Sequence, residues 1–455
     1  MQQSKIVIVG ASHGGHESAI ELLDKYDDVD VTIFEAGNFV SFMSCGMELF
    51  LENQVTAQND VRNFRPEEIT EKGGHVYNNS LVTSIDTDNQ QVTVKNTQDQ
   101  TTQQVAYDKL ILSSGVTPHA LNVPGSNLEN VDDMRGYDWA TKLKAAIDNE
   151  QVKNVVVIGA GYIGIEATEA FTKAGKNVTL MDVTPKPLMT YLNDEMADLI
   201  TKTLVDHGVN VKMGVSVTGF EGNGSVTAVT TADETVPADL VICATGVTPA
   251  TDWLKGTVAL DSRGFIETDA YLHTNIKNVS AIGDAIKPFD IPANQPMPVA
   301  LATTARREAQ YVVNHLFEKR PSRPFKGIVG ASALSVFDQH FATAGLNAVT
   351  AKKANVASTT SFYEDRLRPA YIPDQDNAKV CVSLTYAPES HQILGGAVMS
   401  TYDITAQGNV LALAVAQRMT IEDLAEADFF FQPGFDRQWS LLNLAAQNAL
   451  GNARF

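Results

Sequence analysis

Residues 154–171 read NVVVIGAGYIGIEATEAF. The apolar run Val155–Ile158 enters a turn carrying Gly159, Gly161 and Gly164, and an amphipathic stretch follows. Continuous apolarity without alternation is the pattern of a strand buried on both faces, as in a parallel sheet. The three glycines have separate uses: a tight turn, room for a backbone to approach a pyrophosphate, and close helix packing. The next apolar run, KNVTLMDVT over 176–184, carries Asp182 at its end, near the spacing at which a carboxylate reaches a ribose. Such an acid accepts from a 2′-hydroxyl and repels a 2′-phosphate, so NADH is expected rather than NADPH, with Lys186 of TPKP working against that preference.

The same plan occurs about 150 residues earlier, which makes it an internal repeat. KIVIVGASHGGHESAIELL (5–23) is again a strand, a glycine turn and a helix, and VDVTIFEAG (29–37) carries Glu35 at its end. Here the fingerprint is Gly10, Ser12 and Gly15, with a small serine in place of the middle glycine, and Glu17 matches Glu166 of the second unit. Two such units call for two dinucleotides. NVSAIGDA (278–285) adds Asp284 after a glycine, an acceptor suited to a ribityl hydroxyl of a flavin.

Working outward, YDKLILSSGVTPH (107–119) and ADLVICATGVTPA (238–250) are strands that run into Gly/Pro turns, and they mark boundaries near 118 and 248. NVSAIGDA returns the chain toward the first unit and is followed by the helical segment ALATTARREAQYVVNHLF (300–317). Beyond about residue 325 the glycine turns stop, and strand-like HFATAGL, KVCVSLTY and ILGGAVMS precede helix-like NVLALAVAQRM. The reading is α/β, with two Rossmann-like dinucleotide-binding domains and a C-terminal α+β dimerisation domain. Its bounds are 1–118 (first part of the flavin domain), 119–248 (NADH domain), 249–325 (a central segment completing the first) and 326–455 (interface).

A chain of 455 residues suits about three domains. The formal charge of −20 repels polyanions, so neither nucleic acid nor an anionic membrane is an expected partner. No apolar run reaches spanning length and the opening MQQSKIVIVG lacks a signal-peptide core, so a cytoplasmic protein is expected.

The three cysteines form neither a CxxC pair nor a zinc-ligand spacing, and no metal site is expected. Cys243 and Cys381 lie in apolar, strand-like runs and read as inert. Cys45, in VSFMSCGMELFLEN (40–53), precedes a short apolar helix whose N-terminus is expected to stabilise a thiolate. Without a neighbouring cysteine its redox options are a sulfenic acid or a mixed disulfide. His13 in the first glycine turn reads as a neutral hydrogen-bond partner, because a helix N-terminus disfavours its protonation. Most lone histidines are structural, paired arginines such as Arg306 and Arg307 are usually solvated, and Phe429, Phe430, Phe431 and Phe435 read first as core or interface packing.

VGASHGGHE, SFMSCGMELFLE, VVVIGAGYIGIEATEAF, IGDA, ALATTARREA and IEDLAEADFFFQPGFD together resemble the single-cysteine branch of the pyridine nucleotide-disulfide reductase family, most of all its NADH peroxidases. The resemblance runs over essentially the whole chain. It implies a homodimer or dimer of dimers with FAD and NADH as cofactors, and Cys45 cycling between thiolate and sulfenic acid while hydrogen peroxide is reduced. It also implies that Tyr162 covers the nicotinamide site, that Glu166 reaches toward it, and that the phenylalanine tract packs near the partner's active site. Arg306 matches an arginine that pairs with the histidine equivalent to His13 in peroxidases, and a guanidinium there would steady a leaving hydroxide. Water-forming NADH oxidases of the branch, which reduce O2, generally carry a small apolar residue at that position. CoA-disulfide reductases tend to have tyrosines where DFFFQPGFD has phenylalanines. His16 departs from the peroxidase pattern, in which an aromatic residue is commoner. A reading of another class, a non-catalytic NADH-binding redox sensor, conflicts with the intact Gly159 turn, Tyr162 and Glu166.

Overall fold

Four parallel strands open the fold: β1 (Ser4–Val9), β2 (Val29–Phe34), β3 (His75–Tyr77) and β4 (Lys109–Leu112). Ile6, Ile8, Leu110 and Ile111 are fully buried, as unbroken apolar strands covered on both faces require. Helix α1 (His13–Lys25) follows the first glycine turn, and the short α2 (Met47–Leu51) follows Cys45. The computed structural model describes residues 3–55, 61–62, 64–134, 136–318 and 321–452; Met1 and Gln2 of the opening stretch lie outside them.

The second unit is a parallel sheet of β5 (Val131–Asp133), β6 (Asn154–Ile158), β7 (Asn177–Asp182), β8 (Asn210–Met213) and β9 (Leu240–Cys243), in the order β8-β7-β6-β9-β5. Helix α3 (Tyr137–Asp148) precedes β6 and α4 (Tyr162–Lys173) follows it. Val116–Pro118, just after β4, pairs antiparallel with Val247–Pro249, just after β9, so outgoing and returning chains lie side by side. NVSAIGDA then supplies β10 (Val279–Ala281), which pairs parallel with β4 and completes the first sheet as β10-β4-β1-β2-β3. Helix α5 (Ala302–His315) packs on α1.

The third sheet is antiparallel: β11 (Ser332–Val336), β12 (Gln339–Gly345), β13 (Thr359–Arg366), β14 (Lys379–Tyr386) and β15 (Ile393–Ser400), ordered β11-β12-β15-β14-β13. Helices Gln407–Ala416 and Leu441–Ala449 cover it. The architecture is therefore α/β with two Rossmann-like units and a C-terminal α+β unit. One packing detail matters for the site: Met47 and Leu51 of α2 are buried in the second unit's core with Ile165 and Phe171 of α4, so α2 is clamped against α4. Among the described residues no helix is long and apolar enough to cross a membrane.

Candidate active site

The two glycine turns are built on the same plan at their first and third glycines. Gly10 (φ +94°) and Gly159 (φ +112°) occupy the left-handed region, and a Cβ on either would lie 2.3 Å from a carbonyl oxygen, of Ser113 or Ala244. A Cβ on Gly15 would meet Gly10 O at 1.8 Å, and one on Gly164 would meet Gly159 O at 1.7 Å. Gly161, by contrast, has open space where its Cβ would be, and Ser12 at the matching place is exposed. The first and third positions are thus filled by protein, while the middle one faces outward as a pyrophosphate cradle requires.

The acids at the strand ends repeat the symmetry. Glu35 accepts from Ala11 N–H at 2.8 Å and Gly37 N–H at 2.9 Å, and Asp182 accepts from Ala160 N–H at 2.6 Å and Thr184 N–H at 2.7 Å. Each carboxylate ties the glycine turn to the loop after its own strand and, with about four acceptor sites, still has capacity for ribose hydroxyls. Lys186 is held 2.9 Å from Asp198, so its charge is engaged on the following helix. The two turns and their acids fit two dinucleotides.

Cys45 lies in a 3-10 turn, Ser44–Gly46, and keeps a solvent-exposed face. The expectation of a helix-stabilised thiolate fails here. Helix α2 has only five residues, and the thiol is pushed above its ordinary value by the surrounding protein first, then by Glu166, with a smaller push from Asp284 and an opposing hydrogen bond from the Ser44 side chain. The residue keeps an open face, yet packed atoms and the two acids dominate the thiol's titration. Glu166 is itself raised to about 8 by burial, then by Glu48 and Glu169. Two raised acids facing each other share a single negative charge more easily than they carry two.

Asp284 sits in the turn Gly283–Ala285, where Gly283 has φ +73°. Its neighbour Gly283 donates its N–H to Glu308 at 2.6 Å, and Glu308, fully buried on α5, is pushed up to about 8, chiefly by burial. Glu308 therefore anchors the turn that carries Asp284. No sequence signal singled it out, because a glutamate on a helix reads as solvated.

His13 is the first residue of α1 and half-buried. Arg306, half-buried on α5, places its Nε 2.8 Å from Glu17 Oε2 and its guanidinium 5.5 Å from the Phe64 ring centre. Arg307 is exposed, so the arginine pair divides into one built-in and one solvated cation. His16 is fully buried, with its ring 4.8 Å from Phe64. Burial, then Arg306 and Arg62, hold it neutral by lowering it to about 3.

Tyr162 stacks on Tyr191 with ring centres 3.9 Å apart, and its hydroxyl lies 2.7 Å from Ser332 Oγ of β11. Burial raises this phenol far above its usual value. Sequence reasoning missed Tyr191, Ser332 and Glu48, all distant in the chain from the residues they meet. Cys243 and Cys381 are buried in β9 and β14 and raised to about 12, first by burial. In the single chain Phe430 and Phe435 are 70% and 67% exposed.

Over 98% of its length the chain is 37% identical to an NADH oxidase of Enterococcus faecalis, covering 100% of that protein. A coenzyme A disulfide reductase of Staphylococcus haemolyticus is 27% identical, with 98% of this chain and 99% of that one covered. The water-forming NADH oxidase of Lactobacillus brevis bound to NADH superposes with a TM-score of 0.94 at 32% identity, over 99% of this chain and 98% of that one. The family model for pyridine nucleotide-disulphide oxidoreductases matches residues 4–309 and that for their dimerisation domain matches 332–441; the chain belongs to the pyridine nucleotide-disulphide oxidoreductase family.

Proposed function

We propose that the chain oxidises NADH and reduces hydrogen peroxide to water at Cys45. Its cofactors are FAD and NADH. In this reading the Gly10–Ser12–Gly15 turn, Glu35 and Asp284 hold FAD. The Gly159–Gly161–Gly164 turn, Asp182, Tyr162 and Glu166 hold NADH. When bound there, FAD would supply two-electron chemistry between NADH and the sulfur of Cys45. The thiolate of Cys45 attacks one peroxide oxygen; an S–O bond forms, the O–O bond breaks, and hydroxide leaves to be protonated as water. Two electrons and a second protonation return the sulfenic acid to thiolate with release of another water. NADH, one proton and peroxide thus give NAD and two waters. Cys243 and Cys381 are buried in strands, which supports a cycle without a second thiol.

The observation that carries peroxide as the oxidant is the Arg306–Glu17 pair. Glu17 clamps a permanent cation against α1, the helix that begins with His13, and that charge supports departure of hydroxide. The choice of NADH over NADPH rests on Asp182 and on the engagement of Lys186 by Asp198. The exposed phenylalanines, together with the dimerisation-domain match, support a homodimer.

A second reading follows from the relatives named NADH oxidase. Under it O2 takes the electron pair and Cys45 reduces the resulting peroxide before it escapes. NADH loss in air without peroxide, and then anaerobically with peroxide, separates the two. Fast anaerobic loss is expected; rapid aerobic loss that catalase leaves unchanged overturns the peroxidase reading.

A further inference from the structure

We propose that Glu48 carries protons from solvent to the Cys45–Glu166 pair along the seam where α2 packs on α4. The proposal rests on Cys45 being the redox centre and is indifferent to the oxidant. With either peroxide or O2 two protons reach oxygen for each NADH; the hydride leaves one once its electron pair has passed on and solvent supplies the other, so every turnover draws one proton into the site.

The seam is two matched columns. Cys45, Glu48 and Glu52 follow one another at i, i+3 and i+7 along the turn and α2, and Glu166, Glu169 and Lys173 do so along α4. Carboxylate oxygens of Glu48, Glu52 and Glu169 all lie within 4.8 Å of one another, a gap one water spans. Lys173 closes the outer end, bonding Glu52 at 2.8 Å and Glu169 at 2.6 Å. Its ammonium fills the place a metal cation would take. Glu169 is fixed further by Phe337 N–H at 2.9 Å. From α3, Lys144 caps the seam's side by donating to Leu51 O at 3.1 Å and facing Asp148.

This division of partners decides which acid moves a proton. Lys173 pairs with both Glu52 and Glu169 and with neither oxygen of Glu48. Glu48 bears their repulsion: it is pushed up to about 7 by burial, then Glu169, then Glu52, with Lys173 opposing. Glu166, at about 8, has Glu48 as its foremost charged neighbour and acts in turn on Cys45. Half-buried Glu48 takes a proton from water and passes it to Glu166. The O–H bond at Glu166 then breaks as one forms on the departing hydroxide or the sulfenate oxygen, with no electron transferred, and Glu48 reprotonates Glu166.

The test compares Glu48→Gln, Glu48→Asp and Cys45→Ser holoenzymes, assayed with whichever of hydrogen peroxide and O2 the parent reduces. Loss of a proton-transfer group predicts Glu48→Gln turnover at least about tenfold slower, while anaerobic hydride uptake from NADH keeps its rate. The alkaline limb of its pH profile moves acidward, because Glu166 loses a like-charged neighbour. Glu48→Asp restores most of the turnover. Infrared difference spectra of the parent show a carboxylic acid band titrating around pH 7 that Glu48→Gln lacks. Parent-like turnover and pH profile in Glu48→Gln, or no such band in the parent, overturns the relay alone, given an inactive Cys45→Ser. Oxidant reduction kept by Cys45→Ser instead sinks the underlying reading and the relay with it.

Discussion

Glu17 and Arg306 stand 289 positions apart in the chain, yet Glu17 Oε2 and Arg306 Nε are 2.8 Å apart, joining α1 to α5. The pair is only partly buried, so its net worth to folding is on the order of 0–1 kcal/mol. In the proposed mechanism its effect on chemistry is larger, because a fixed cation would stabilise charge that develops in the transition state. Arg306→Val is therefore expected to change the melting temperature little and to slow peroxide turnover by at least about tenfold. Glu17→Gln, which frees the guanidinium without removing it, falls between. Unaltered peroxide turnover in Arg306→Val strikes this residue from the mechanism.

The second glycine turn separates folding from binding. A Cβ at residue 164 would meet a carbonyl at 1.7 Å, whereas at residue 161 it meets open space. Gly164→Ala is thus expected to destabilise the unit by roughly 1–3 kcal/mol or to prevent its accumulation. Gly161→Ala is expected to fold normally and to raise the KM for NADH, since under the proposed function its methyl would stand where the pyrophosphate approaches. A calorimetric scan and an NADH titration on both variants decide this; normal NADH affinity in Gly161→Ala places the nucleotide elsewhere.

These turns were legible because their physics is local. A positive φ at Gly10 and Gly159, and a helix pressed on its own turn at Gly15 and Gly164, follow from a few consecutive residues. The fold class followed from the same pattern, repeated, and from its absence after about residue 325. The environment of Cys45 was not legible. The sequence shows a cysteine before an apolar helix, but the thiol's titration is set by Glu166 on α4 and Asp284 beyond β10, which only tertiary packing brings near. Glu48 was passed over for the same reason: on α2 alone it is an ordinary helical glutamate, and its partners Glu166 and Glu169 arrive from over a hundred positions away. Likewise Glu308 discloses its task only once Gly283 is seen donating to it.

His16 makes an acid-sensitive contribution to stability. Its folded-state value, about 3, is depressed below the ordinary histidine value of 6.5 by burial and then by Arg306 and Arg62. In the window between those values the unfolded chain binds a proton that the folded chain does not. The contribution is therefore complete above about 6.5 and declines as pH falls toward 3, by roughly 3–5 kcal/mol at most. Glu166 and Glu308, raised in the fold, act with the opposite sign, so the measurement is a difference. The drop in melting temperature from neutral to mildly acidic pH should be smaller in His16→Phe than in the parent. An equal drop in both means that His16 protonates without opening the fold.

Phe430, Phe431, Phe435 and Trp439 expose 43–70% of their surface in one chain, within nine residues of each other. Side chains of this size exposed together are a cost in water that a second copy removes: burying each phenylalanine is worth about 1.5–3 kcal/mol. Since Phe430 and Phe435 already face solvent for most of their surface, replacing them with serine removes little internal packing of the single chain. Sedimentation should show the parent as a dimer or larger, and Phe430→Ser/Phe435→Ser shifted toward monomer at low concentration while the circular dichroism of the fold is retained. If the tract also packs beside the partner's site, oxidant turnover falls in step with dissociation and recovers as protein concentration rises. A double variant that stays dimeric at every concentration shows that this tract is not the seam between copies.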